Sequence, residues 1–192
     1  KLNTAVDWRT VSNERPDVGI VATGGRIPNS DLPGLDEAKV IYADTFTEKE
    51  IIKDKRVIVI GGDRAGLVVA ERLSKEGNVV AIVDQGEKLA RDVIPTFKWR
   101  HISWVKELGI EVIKDTHAQS VSREGLHLKD NDGNESVRAC DLLIVAGRRE
   151  SNNKLTSELM FNCDELYTIG DAVSPRNICD AVHEGYRTGV RV

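Results

Sequence analysis

The residues best placed to do chemistry lie in Val57-Ile-Val-Ile-Gly-Gly-Asp-Arg-Ala-Gly66 and Val79-Val-Ala-Ile-Val-Asp84. An apolar run, a glycine turn, a second apolar run and a carboxylate form the pattern of a dinucleotide-binding unit. Each part has a physical task. Gly61 lets the chain leave a strand sharply, and Gly66 lets the next helix pack close to the sheet. The helix N-terminus offers free N–H groups and a positive dipole end to a pyrophosphate. Asp84, 18 residues after Gly66, is placed to accept hydrogen bonds from a ribose diol. The chemistry indicated is redox: the cofactor carries the reaction and the protein orients it.

One position departs from the pattern. The middle glycine of G-x-G-x-x-G falls at 63, where this chain has Asp63. A carboxylate there adds bulk and negative charge where a pyrophosphate comes closest. Either the loop is reshaped, with Gly62 taking the role and Arg64 offsetting the charge, or affinity falls. The competing reading is a Rossmann turn kept for its packing alone. Asp84 predicts NADH over NADPH, because a carboxylate repels a 2′-phosphate. Gln85, Gly86 and Glu87 supply no arginine to hold one, and Lys88 is the nearby cation.

Composition narrows the remaining classes. The chain has 192 residues, 40% of them hydrophobic, and a formal net charge of −4. That length suits one or two domains of about 100–200 residues. The absence of a basic stripe argues against nucleic-acid binding. The apolar runs are only strand-sized, which argues against a membrane span. With no secretory signal, a cytoplasmic protein is expected. Cys140, Cys163 and Cys179 are odd in number and widely spaced, with neither a C-x-x-C pair nor a zinc pattern, so reduced thiols are expected. No nucleophile–base pair and no metal cluster stands out. The start at Lys1-Leu-Asn, without Met, reads as a fragment or a processed chain.

Those residues need a frame. Val18–Thr23 reads as a short strand leaving at Gly24-Gly25, and Val40–Tyr42 as another. Thr47-Glu-Lys-Glu50 looks like a helix start capped by Thr47. Val57–Ile60 and Val79–Val83 flank a helix with Leu67, Val68, Val69, Ala70 and Leu73 on its apolar face, ended by Gly77. A second helix runs from Val93 to Leu108, with Pro95 early and Gly109 past its end. A third parallel strand follows at Ile110–Ile113. Ser120–Ser122, Gly125–Lys129 and Ser136–Ala139 predict an antiparallel meander, turned at Asn131–Asn134. Asp141–Ala146 is a buried strand stopping at Gly147, and Leu166–Ile169 is another, closed by Gly170-Asp171-Ala172. A final helix spans Ile178–Val190. The fold class is α/β: a three-layer Rossmann-like parallel sheet with a β-meander crossover.

Two strand-to-glycine exits bracket the dinucleotide pattern, Ala22-Thr23-Gly24 before it and Ile169-Gly-Asp-Ala172 after it. That order resembles the glutathione-reductase-like flavoproteins, in which an NAD(P)-binding domain is inserted into an FAD-binding domain. The run Ile169-Gly-Asp-Ala-Val-Ser-Pro-Arg-Asn-Ile-Cys-Asp-Ala-Val-His-Glu-Gly185 narrows the match. It is similar to the C-terminal FAD/NAD(P)-binding region of the old-yellow-enzyme-related NADH:flavin oxidoreductases. That group includes 2,4-dienoyl-CoA reductases, 2-enoate reductases and trimethylamine dehydrogenase. Pro175-Arg176, Asp180-Ala181 and Glu184-Gly185 sit at matching places, and the resemblance covers nearly the whole chain.

The resemblance implies an NAD(P)-binding insert over 45–150, with 1–44 and 151–192 an incomplete FAD-domain remainder, plus a remnant second Rossmann unit. In a complete enzyme of this kind NADH delivers a hydride to FAD, and electrons pass through an iron–sulfur cluster to FMN. The FMN barrel, the cluster and the first part of the FAD domain would be partners upstream of this chain. Apolar surface left open where they pack predicts a homodimer. By the same resemblance Thr23, Gly24 and Gly25 lie near FAD, and Asp171 hydrogen-bonds the flavin ribityl chain. In this chain alone Asp171 is expected to cap the last helix or face solvent. Gly147-Arg148-Arg149 matches a glycine–arginine exit beside the nicotinamide, with Gly147 allowing cofactor approach and the arginines expected in exposed ion pairs. His183 is expected to be structural or exposed, and Phe97, Trp99 and Trp104 to be packing residues.

The function implied is the pyridine-nucleotide-binding part of a flavin-dependent oxidoreductase, inactive alone. The rival reading is a structural or docking module whose vestigial pocket is empty or holds ADP.

Overall fold

The computed structural model describes residues 1–160 and 163–192. The chain divides into two compact units, Lys1–Arg26 with Arg149–Val192, and Ile27–Arg148 inserted between them. The split unit opens with α1 (Trp8–Glu14), β1 (Val18–Val21) and β2 (Gly25–Arg26). The insert then runs β3 (Val40–Tyr42), β4 (Arg56–Ile60), α2 (Arg64–Lys75), β5 (Val79–Val83), α3 (Pro95–Glu107) and β6 (Glu111–Ile113). It continues through β7 (Thr116–Ser122), β8 (Gly125–Asp130) and β9 (Glu135–Arg138) to β10 (Leu142–Val145). The split unit closes with β11 (Glu150–Ser151), α4 (Lys154–Leu159), β12 (Glu165–Thr168) and α5 (Ile178–Gly189).

The insert is built on a parallel sheet of order β3-β10-β4-β5-β6. Successive side chains of a strand point to opposite faces, so an apolar run buried on both faces needs a layer on each. Val57 and Val59 of β4 point into one core with Leu67, Ala70 and Leu73 of α2 and Val105 of α3. Ile58, between them, points into a second core with Val121, Leu126 and Leu128 of the meander. The alternation repeats on β10, where Leu142 and Ile144 join the first core and Leu143 the second. The expected three layers are therefore helices, parallel sheet and antiparallel β7-β8-β9. The Asp130 carboxylate holds the meander turn by accepting from the Asp132 and Asn134 N–H groups at 3.0 and 2.8 Å.

Several expectations need correction. The boundary falls at Arg26/Ile27 and Arg148/Arg149 rather than at 44 and 150. Residues 27–44 go with the insert because β3 pairs with β10, and Leu32 and Leu35 pack on the meander core. No helix starts at Thr47. Glu50 does accept from the Thr47 N–H at 2.7 Å, but that half of a capping box closes only a turn. Ile52 then drops into the helix-side core, which an outgoing helix would prevent. On α3, Phe97 and Trp99 are exposed and only Val105 is fully buried, so the aromatic residues are not a packed face. Trp104 instead carries the cations of Lys75 and Arg100 over its ring. The short helices α1 and α4 had no clear signal, being too brief for apolar periodicity to register.

In the split unit, β1 and β12 pair in parallel, and β2 pairs antiparallel with β11. Asn177 and Asp180 cap α5 with reciprocal bonds. Ile178, Val182 and Tyr186, spaced by four along α5, and Val190 just past its end are all exposed. An apolar stripe on one face of a helix calls for a partner layer, and a two-stranded sheet is marginal without one. Cys140, Cys163 and Cys179 are free thiols, and burial pushes the Cys140 thiol above its ordinary pKa. Among the described residues no helix is long and apolar enough to cross a membrane.

Leu126 is fully buried between sheet and meander. We expect Leu126→Ala to lower stability by about 2–5 kcal/mol, read as a shift of the urea midpoint. At the strand ends away from the glycine turn, Arg56 binds Asp141 with two side-chain bonds, at 3.2 and 2.7 Å. The Arg56 side chain, and then its N–H, hold the Asp141 carboxyl well below the ordinary carboxylate range. A depressed carboxylate stabilises above its unfolded value of about 3.9 and loses that contribution as pH falls toward its folded value. Asp141→Asn should therefore lower the melting temperature at neutral pH and flatten its decline below pH about 4, so that the two proteins converge in acid.

Candidate nucleotide site

The glycine turn has the backbone its sequence requires. Gly61 leaves β4 with φ +112°, in the region that favours glycine, and a Cβ there would lie 2.5 Å from the Ala146 carbonyl oxygen. A Cβ on Gly66 would overlap the Gly61 carbonyl, so that glycine does permit the close helix–sheet approach. α2 starts at Arg64, directly after the turn.

The glycine turn is contacted by a later part of the chain. Residues 87–92, after β5, fold back over the turn. The Ala90 N–H donates to the Gly62 carbonyl at 2.8 Å, and Ala90 is held fully buried at φ +57°. A non-glycine residue in that region costs about 1–2 kcal/mol, so surrounding contacts must hold it there. Leu89 packs over Gly62, where any Cβ would strike its Cδ2. Asp92 Oδ1 accepts from the Arg64 N–H at 2.7 Å. That N–H belongs to the first turn of α2, where the pattern would seat a pyrophosphate oxygen.

The predicted ribose ligand is committed as well. Asp84 is 3% exposed. It accepts from the Gly62 and Gly86 N–H groups at 2.6 and 2.8 Å. Arg91 Nη2 and Nη1 approach its two oxygens at 3.0 Å each. A carboxylate has about four acceptor sites, and all are used. Asp84 thus fastens the turn, and a ribose diol would have to displace one of these donors.

Asp63 is the N-cap residue of α2 but makes no side-chain cap bond. Its carboxylate turns to Arg91, receiving the backbone N–H at 3.0 Å, Nε at 3.1 Å and Nη2 at 3.2 Å. The hydrogen bonds to Asp63, followed by the charges of Asp63 and Asp84, raise the Arg91 pKa above its ordinary value. The charge at 63 is therefore offset by Arg91, and exposed Arg64 contributes only its N–H here. At Gly62 a Cβ would strike Leu89 and crowd Asp84. Gly147 has open space around it, since a Cβ there would meet nothing within 4 Å. Sequence reasoning missed Leu89, Arg91 and Asp92. The signal available was an Arg-Asp pair soon after Asp84, in a loop whose chain reversal no local motif announces.

The split unit gathers a different set. Asp171 lies in a 3-10 turn (Gly170–Ala172) and pairs with Arg149 at 3.0 Å, while its other oxygen accepts the Arg176 N–H at 3.2 Å. It does not cap α5, because Asn177 does. Arg149 also donates to the Gly25 carbonyl, joining the two strand exits. Thr23 donates to the Asn152 carbonyl, and Gly24 (φ +73°) accepts from the Asn152 N–H at 2.9 Å. Arg176, then the Gly170 N–H, hold the Glu184 carboxyl below its ordinary range. His183 is exposed. Among the described residues of this unit, no glycine-turn–helix is present to receive a second pyrophosphate.

Over residues 13–186 the chain matches the family model described as pyridine nucleotide-disulphide oxidoreductase. The chain belongs to that family. It is 29% identical over 196 residues to the cinnamate reductase of Clostridium sporogenes, covering 100% of this chain and 29% of the relative. It is 24% identical over 197 residues to the NADH oxidase of Thermoanaerobacter brockii, covering 100% and 30%. Among solved structures, a 2-naphthoyl-CoA reductase superposes with TM-score 0.91 at 24% identity, covering 100% of this chain and 29% of that one. A histamine dehydrogenase from Rhizobium sp. 4-9 gives 0.83 at 18%, covering 97% and 32%. The chain thus spans about 30% of the curated relatives' length. These relatives are flavoprotein oxidoreductases, in line with the old-yellow-enzyme-related resemblance.

The Arg91 clamp predicts a stability effect. With Arg91→Ala, Asp84 stays buried without a cation, and we expect a loss of about 1–2 kcal/mol, discounted for the half-exposed arginine. Arg91→Lys should recover less than half of it, because an ammonium cannot fork between two carboxylates. Urea unfolding of the three proteins measures both.

Proposed function

We propose that this chain is the FAD- and pyridine-nucleotide-type portion of a flavin-dependent oxidoreductase in which the inserted unit serves as a closed scaffold. The observation that carries this reading is the Asp92 carboxylate on the Arg64 N–H, with Leu89 and Arg91 lying over the same turn. An NADH pyrophosphate would have to displace that carboxylate and would meet Asp63 and Asp84 beside it. The residues as arranged do not fit the nucleotide, so no hydride step is routed through this unit. Flavin contacts fall instead to the split unit, where Gly24, Gly25 and Asp171 would form one wall of an FAD cleft completed by upstream segments. Electrons would then reach the flavin from substrate, or from a donor bound elsewhere in the whole protein. Exposed Ile178, Val182 and Tyr186 on α5 are suited to pack against those segments or against a second copy of the chain.

A second reading rests on what the turn retains. Gly61 and Gly66 keep the close backbone approach, and space remains open at Gly147. In that reading NADH displaces the 87–92 loop and delivers a hydride to FAD, as the name of the Thermoanaerobacter relative suggests.

Calorimetric titration with NADH, NADPH and ADP separates the two. The closed-scaffold reading expects no saturable heat from any of them, and weak binding to emerge in Asp92→Ala. Saturable NADH binding to the unaltered protein would overturn it. Failure of Asp92→Ala to gain any affinity would show that the capping carboxylate is not what closes the site.

A further inference from the structure

On the helix side of the insert, α3, β6 and the start of the 87–92 loop enclose a cleft of about 460 Å³. That volume lies within the range of about 300–1,000 Å³ typical of small-molecule sites. Its floor is aliphatic: Leu89, Ile102, Val105, Ile110 and Val112. Leu89, Val105 and Ile110 are each no more than 6% exposed, so the floor is anchored in the core. Around it stand Lys88, Lys98, Lys106 and Lys114, opposed by Glu87 alone. None of these four lysines has an ion-pair partner among the described residues, whereas Arg56, Arg72, Arg91, Arg138, Arg149 and Arg176 are all paired.

The sign of this rim runs against the chain as a whole, which carries a net charge of −4. Four cations over a low-dielectric floor focus a positive potential into the cleft. An apolar floor wants hydrocarbon, and the ammonium groups want an anion at its mouth. No aromatic ring lines the cleft for stacking. Beyond Glu87 no side-chain acceptor is present to read a base or a sugar.

We infer that this cleft binds an amphipathic anion with an aliphatic chain, of the class of medium-chain fatty carboxylates. The chain lies along Ile102, Val105 and Val112, and the carboxylate meets the lysine rim. The inference rests on the closed 87–92 loop of the first reading, because Glu87, Lys88 and Leu89 line the cleft. Leu89 links it to the glycine turn, since the same side chain lines the cleft and covers Gly62.

The test is calorimetric titration of the full-length protein with decanoate, 1-decanol and decyltrimethylammonium, all below micelle formation. We expect saturable one-to-one binding of decanoate, at least tenfold weaker binding of decanol, and none of the cation. The double charge reversal Lys106→Glu/Lys114→Glu, at exposed groups that make no ion pair described above, should weaken decanoate at least tenfold while leaving decanol unchanged. Ile102→Asp should remove binding of both. Absence of saturable decanoate binding, equal affinity for the alcohol, or an affinity indifferent to the lysine reversal would overturn the assignment.

Discussion

A carboxylate as buried as Asp84 must be answered by donors, because an ion left unpaired in a protein interior costs several kcal/mol. Its answers come from three places at once: the glycine turn through Gly62, its own strand end through Gly86, and the returning loop through Arg91. Much of the rest follows. Arg91 must lie over the turn, so its fork can also take Asp63, and Asp92 is carried to the first turn of α2. Ala90 accepts a left-handed backbone to make the reversal, and Leu89 fills the space above Gly62. Electrostatics close this turn, and apolar packing seals it.

The layered frame was legible because periodicity is a local signal with a global meaning. Val57–Ile60, Val79–Val83 and Asp141–Ala146 are continuous apolar runs, which only a strand covered on both faces requires. The short polar strands after Ile113, turned at Asn131–Asn134, told the meander from another βα unit. The positions that failed to read through are those decided by partners far along the chain. Thr47 and Glu50 have the local chemistry of a helix cap, yet the demand of the core for Ile52 overrides it. Phe97 and Trp99 of α3 and Val68 of α2 are apolar and expected to pack, yet all three are exposed.

The candidate site was legible in its turn and not in its contents. Gly61 and Gly66 announce a backbone shape, and that shape is present. Whether a ligand or a side chain fills the place above it depends on a loop 25–30 residues away, for which no spacing rule exists. Asp63 was the one warning within the motif. Its consequence lay with Arg91, which supplies the positive charge that sequence reasoning assigned to Arg64.

The antiparallel pairing of Gly25–Arg26 with Glu150–Ser151 brings the insert's points of departure and return side by side. The intervening segment, 27 through 148, is 122 residues long. Closing so long a stretch of disordered chain would cost about 4 kcal/mol by the logarithmic loop law. A folded insert removes that cost by presenting both of its ends at one place. β1 and β12 can then find each other as though their segments were neighbours in sequence. The same loop law makes the spacing of the insert's two ends, at Arg26 and Arg149, the geometric demand that the split unit places on it.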